Sequence, residues 1–120
     1  MEREPADNEV IDRLDEELKR LRSAFLAKLP GRIQKLTDEW NELQGEAWNE
    51  NGAHAFHRAI HGMIGTSGSL GLSDIANDAR QLERRLVTLV ECPRAPSRET
   101  ADGIVERLRQ IGGHVAVEES

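Results

Sequence analysis

The chain has 120 residues, with 16 Lys+Arg against 22 Asp+Glu, a formal net charge of −6 and a pI near 5.2. That acidic balance excludes duplex-DNA binding and polybasic membrane binding, both of which need clustered cation, and 3% aromatics with no Tyr leaves few stacking platforms for single-stranded nucleic acid. The expected partner is therefore neither nucleic acid nor membrane. One domain is expected over residues 1–120, with its core at about 8–111, because a single core is filled by ~100 to 150 residues. The start, Met1 to Asp7, is charged where a secretory signal would be apolar. Cys92 is the only cysteine, so no intramolecular disulfide and no Cys-rich zinc site can form. A soluble cytoplasmic protein is expected.

Apolar residues recur at Ile11, Leu14, Leu18, Leu21, Phe25, Leu29, Ile33, Leu36, Trp40 and Leu43 in steps of three or four, the helical period. Pro30-Gly31 interrupts the stripe and predicts two helices, or one kinked helix, over about Asp7 to Leu43. Gln44 to Gly52 is polar and reads as a connection, with Trp48 folding back onto the core. A further helix is expected over Ala53 to Gly68. The next begins at a Ser73-Asp74 cap and carries Leu72, Ile75, Ala79, Leu82, Leu86 and Leu89 until Pro93 and Pro96 stop it. A last helix over about Ser97 to Ile111 would end at Gly112-Gly113. Short links between amphipathic helices in a chain this size predict an all-α, antiparallel four-helix bundle with an additional N-terminal helix.

The chemistry-bearing stretch is His54 to Gly71. At ~100° per residue, His54, His57, His61, Gly65 and Gly68 share one side of the helix, while Phe56, Ile60, Met63 and Ser67 lie toward the other. Glycine inside a helix costs ~1 kcal/mol against alanine, so Gly62 and Gly65 require a reason. One is close helix packing; the other is to let a partner approach an exposed imidazole.

The pattern His61-x-x-x-Gly65-x-x-Gly68-x-x-Gly71, followed by Leu72, Ala76 and Leu82-Glu83, resembles the histidine-containing phosphotransfer (HPt) domain of bacterial two-component phosphorelays. Phe25 to Arg32 is similar to that family's apolar helix with a proline before its second half, and the likeness spans about Asn8 to Ile111. The resemblance implies that His61 accepts a phosphoryl group from a receiver-domain aspartate or a kinase and passes it on, without independent catalytic activity. It implies a response-regulator receiver or hybrid histidine kinase as partner, and no cofactor in this chain, with Mg²⁺ in the receiver. The family usually has lysine three residues after the histidine, where this chain has Ile64. Arg58 is the first substitute cation to consider, then Arg80 or Arg84, with His57 as a donor beside the phosphate.

Other readings compete. His57 and His61 are spaced i,i+4 as in helical zinc pairs, but no second His or Cys cluster supplies further ligands, and no metal is expected. A docking module that binds a receiver or kinase without carrying phosphate is the second reading, with Ile64 as its clue. An enzyme acting on a small molecule would need a phosphate loop, nucleophile elbow or carboxylate pair that the sequence lacks. A monomer is expected, since such a bundle satisfies its own core, although the Ile11 to Leu43 stripe offers a surface for pairing between chains.

Overall fold

The stripe that begins at Ile11 forms one helix. In the computed structural model, which describes the backbone of residues 5–119 and the side chains of residues 8–114, α1 runs unbroken over Pro5–Glu42 with Pro30 inside it. The expected additional N-terminal helix is thus absent among the described residues, and four α-helices with no strand make the fold. An interior proline withholds one amide from the helical ladder and costs about 3 kcal/mol. Pro30 is exposed, while Leu26, Leu29, Ile33 and Leu36 around it are buried, so packing of the opposite face carries the helix through the break.

Only the second half of α1 is core. Phe25, Leu26, Leu29, Ile33, Leu36 and Trp40 are buried, whereas Val10, Leu14 and Leu21 are at least half exposed. Thirty-eight residues at 1.5 Å each make a rod of about 57 Å, which accounts for a molecule 63 Å long but only 26 by 17 Å across.

Trp40 closes the lower core. Its buried indole donates Nε1–H to the Ala101 carbonyl at 3.1 Å, and its ring lies 4.9 Å from Phe56 and edge-on to Trp48 at 5.7 Å. Trp48 does fold back: it packs half-buried on the core and donates Nε1–H to the Cys92 carbonyl at 3.0 Å. That bond ties the connection after α1, which includes the short 3-10 turn Gly45–Ala47, to the connection before the last helix.

The second helix, α2, is Glu50–Ser69. It starts earlier than Ala53 because the Asn49 side chain caps it, accepting from Gly52 N–H at 2.7 Å. Arg22 of α1 donates Nε–H to the Leu70 carbonyl at 2.7 Å at the other end, placing a cation where the helix dipole is negative. Gly71, at φ +75°, then turns the chain. The third helix, α3, is Ser73–Leu89, and its cap is Leu72 rather than Ser73. Leu72 is buried and its carbonyl already accepts from Ala76 N–H, so burial of an apolar side chain sets the entry without a side-chain cap. The fourth, α4, is Arg98–Glu119, with the Ser97 hydroxyl accepting from Thr100 N–H. It passes through Gly112-Gly113, which do not end it: neither adopts a positive φ. A methyl group at Gly112 would stand 3.7 Å from Ile33, so this glycine lies against α1.

Packing is unequal around the bundle. α2 lies mainly on α3 and α1 on α4, with α3 against α4, while α1 and α2 touch only slightly.

Candidate functional site

The core-facing side of α2 is formed by Ala53, Phe56, Ile60, Met63 and Ser67, all buried. Ser67 satisfies its hydroxyl within the helix by donating to the Met63 carbonyl at 2.6 Å. Burying this face turns the histidine side toward α3 and solvent.

Each of the four histidines faces a carboxylate, and exposure separates them. The side chains of His54, His57 and His114 are 32%, 25% and 29% exposed, against 74% for His61. His61 Nδ1 lies 2.6 Å from Oε2 of Glu83 on α3. An ionised carboxylate can only accept, so the proton of this bond sits on Nδ1, leaving Nε2 of the neutral ring with a free lone pair. Glu83 itself is held in place, being only 24% exposed between the buried Leu82 and Leu86 turns. His57 Nε2 approaches the same oxygen at 3.3 Å, yet it is buried and makes no hydrogen bond among the described residues. The His57 ring is therefore largely enclosed between α2 and α3 rather than freely solvated.

The glycines settle one alternative. A Cβ at Gly62 or Gly65 would meet nothing within 4 Å, so close intramolecular packing is not why these positions are bare. Gly68 has only the Arg80 guanidinium nearby, with Nη2 3.9 Å from where its Cβ would be. Arg80 is steadied by Asn77, whose Oδ1 accepts from Nη1 at 2.9 Å. Ile64 is half-buried and packs against the core, while Arg58 and Arg84 are exposed. At ~100° per residue Ile64 and Gly68 lie on the α3 side of His61 and Arg58 on the other. Arg80 thus stands along the seam that Ile64 faces.

Where α1 and α2 part, a groove of about 420 Å³ opens beside this strip. Phe25, Leu29, Leu36 and Met63 line it, Arg32 and Lys35 contribute cations, and Gly62 belongs to its α2 wall.

The contact of Glu83 with His61 is the part of this geometry that periodicity did not reveal, although Leu82-Glu83 belongs to the pattern read in the sequence. Its one sequence signal is a carboxylate directly beside the core positions of an amphipathic helix. The i,i+4 pair His57 and His61 converges on that single carboxylate. His54 lies instead near the exposed Glu50 and Glu91, each 3.7 Å away. His114 pairs with Asp78, joining α4 to α3, and the Cys92 thiol is exposed.

No curated protein and no solved structure matches the chain at a significant level. The family model for the Hpt domain matches residues 20–114, which contain the whole bundle from the last turns of the α1 arm to His114. With an exposed, carboxylate-held histidine beside a bare glycine strip inside that match, the chain belongs to the Hpt domain family.

Proposed function

We propose that this protein is a phosphorelay intermediate of two-component signalling in which Nε2 of His61 accepts a phosphoryl group from a receiver-domain aspartate, or from a kinase, and passes it on. The observation that carries this reading is the 2.6 Å contact from Nδ1 of a three-quarters exposed ring to Glu83. The lone pair on Nε2 attacks phosphorus, an Nε2–P bond forms, and the P–O bond to the aspartyl carboxylate breaks, returning its electron pair to that carboxylate. The ring becomes cationic with its proton still on Nδ1, and Glu83 offsets that charge. No proton moves, so the reverse step, onto another aspartate, uses the same geometry.

Phosphoryl transfer demands chiefly alignment and charge neutralisation. A receiver partner brings Mg²⁺, and this chain contributes a positioned ring without independent catalytic activity. The open positions at Gly62 and Gly65 let the partner's backbone come close, and the neighbouring α1–α2 groove offers it an apolar foothold. In place of the family's lysine at the Ile64 position, Arg80 offers a guanidinium from the same side, with Arg58 flanking from the other. Such a relay operates in the cytoplasm.

The test is transfer from a panel of phosphorylated receiver domains, read as acid-labile, base-stable label on this protein. Label on the wild type that is absent from His61→Gln supports the relay. Binding of a receiver without label supports instead the docking module that Ile64 suggests, and Ile64→Lys then shows whether the missing lysine is responsible.

A further inference from the structure

The helix beneath Glu83 is fixed by the buried Leu82 and Leu86, but the carboxylate still turns about the bonds of its own side chain. The His61 ring that it meets is itself 74% exposed. Two groups that can both turn do not fix a direction by bonding to each other. Among the described residues no lysine or arginine comes within ion-pair distance of this carboxylate, and the nitrogens that do belong to His61 and His57.

His57 stands one helical turn before His61 on the same side of α2. Its Nε2 is buried and 3.3 Å from Oε2 of Glu83, the oxygen that His61 Nδ1 meets at 2.6 Å. A buried ring nitrogen without a hydrogen bond is uncommon, and its surroundings decide where the ring carries its proton. With a lone pair on Nε2, the ring would set one acceptor against another. With a proton there it faces the carboxylate as a donor, and a small turn of either side chain closes the bond. The proton of His57 therefore belongs on Nε2, the opposite nitrogen to that of His61. The other two histidines are engaged elsewhere, His54 near Glu50 and Glu91 and His114 with Asp78.

We propose that His57 is a positioning residue for His61: its Nε2–H holds Oε2 of Glu83, so that the carboxylate receives His61 Nδ1–H in one orientation and keeps Nε2 of that ring bare. It acts through Glu83 and touches neither phosphorus nor partner, in place of the donor role beside the phosphate that spacing suggests. Its consequence for transfer rests on the phosphorelay reading; its consequence for the His61 tautomer does not.

That tautomer can be read in the free protein, without phosphate or receiver, from ¹⁵N shifts of the histidine rings at about pH 8.5, above the ordinary imidazole range. The wild type is expected to carry its proton on Nδ1 of His61 and on Nε2 of His57. His57→Leu, which fills the space without a donor, is expected to shift His61 toward the Nε2–H form. Transfer at saturating receiver should then slow by about 3- to 10-fold, with the half-saturating receiver concentration unchanged. His57→Gln, which keeps an N–H donor, is expected to restore most of both. In a Glu83→Ala background His57→Leu should change neither. An unchanged His61 tautomer in folded His57→Leu, or an effect that persists without Glu83, would overturn the proposal. So would a bare Nε2 on His57 in the wild type, a result that needs no variant to fold. A tautomer shift in a protein that no receiver labels would uphold the hold on His61 and overturn the relay reading instead.

Discussion

The bundle has two long seams built from opposite materials. Between α1 and α4 the contact is apolar, with a buried polar link from the Trp40 indole to the Ala101 carbonyl. Between α2 and α3 the lower layer is equally apolar, from Ile60 and Met63 to Ile75, Ala79 and Leu82, but the solvent edge carries His54, His57, His61, Glu83, Arg80 and Glu91. One seam holds the fold and the other borrows its rigidity. A hydrogen bond to a half-buried carboxylate orients an exposed ring only because Leu82 and Leu86 fix the helix beneath it.

That division can be broken from either side. The largest effect is expected from Trp40→Ala, which removes a buried indole and its hydrogen bond to the Ala101 carbonyl. A loss of about 3–5 kcal/mol should appear in urea unfolding. Glu83→Ala should do the reverse. The His61 ring is 74% exposed, so its contact with Glu83 adds little to fold stability, and the unfolding midpoint should move little; losing the ring's orientation should slow transfer to and from His61 by about 10- to 100-fold. Glu83→Gln, which keeps an acceptor and loses the charge, should fall between that variant and the wild type in stopped-flow or quenched-transfer rates.

Gly65→Ala sharpens the contrast within α2. The added methyl meets nothing in the chain, so helix propensity should stabilise the fold by roughly 1 kcal/mol in denaturant titration, while receiver-dependent transfer slows. Gains in both would show that the partner does not approach this strip. The smallest effect belongs to Arg80→Ala, a substitution at the exposed edge. The phosphohistidine half-life should shorten by roughly a few-fold, in keeping with the modest strength of solvent-exposed ion pairs, with Arg80→Lys restoring most of it and Arg58→Ala changing it less.

What was legible in the sequence is what periodicity controls. The buried face of α2, the stripe of α3 and the exposure of His61 all follow from residue spacing. Breaker residues misled where packing outweighed them. Pro30 lies within α1 because Leu26, Leu29 and Ile33 hold the helix on both sides of it. Gly112 and Gly113 lie within α4, where Ile111 is fully buried and Gly112 faces Ile33. Periodicity also marked Leu14 and Leu21 as core-like, yet the bundle ends before it reaches them. The contact of Glu83 with His61 spans 22 positions between two helices, a tertiary register that no local pattern encodes.

The most direct test of the central claim is a phosphorus–nitrogen correlation spectrum of the ¹⁵N-labelled protein after transfer from a phosphorylated receiver. The account predicts one coupled pair, phosphorus to Nε2 of His61, with the proton retained on Nδ1. Phosphorus coupled to Nδ1 of His61, or to a nitrogen of His54, His57 or His114, would contradict it.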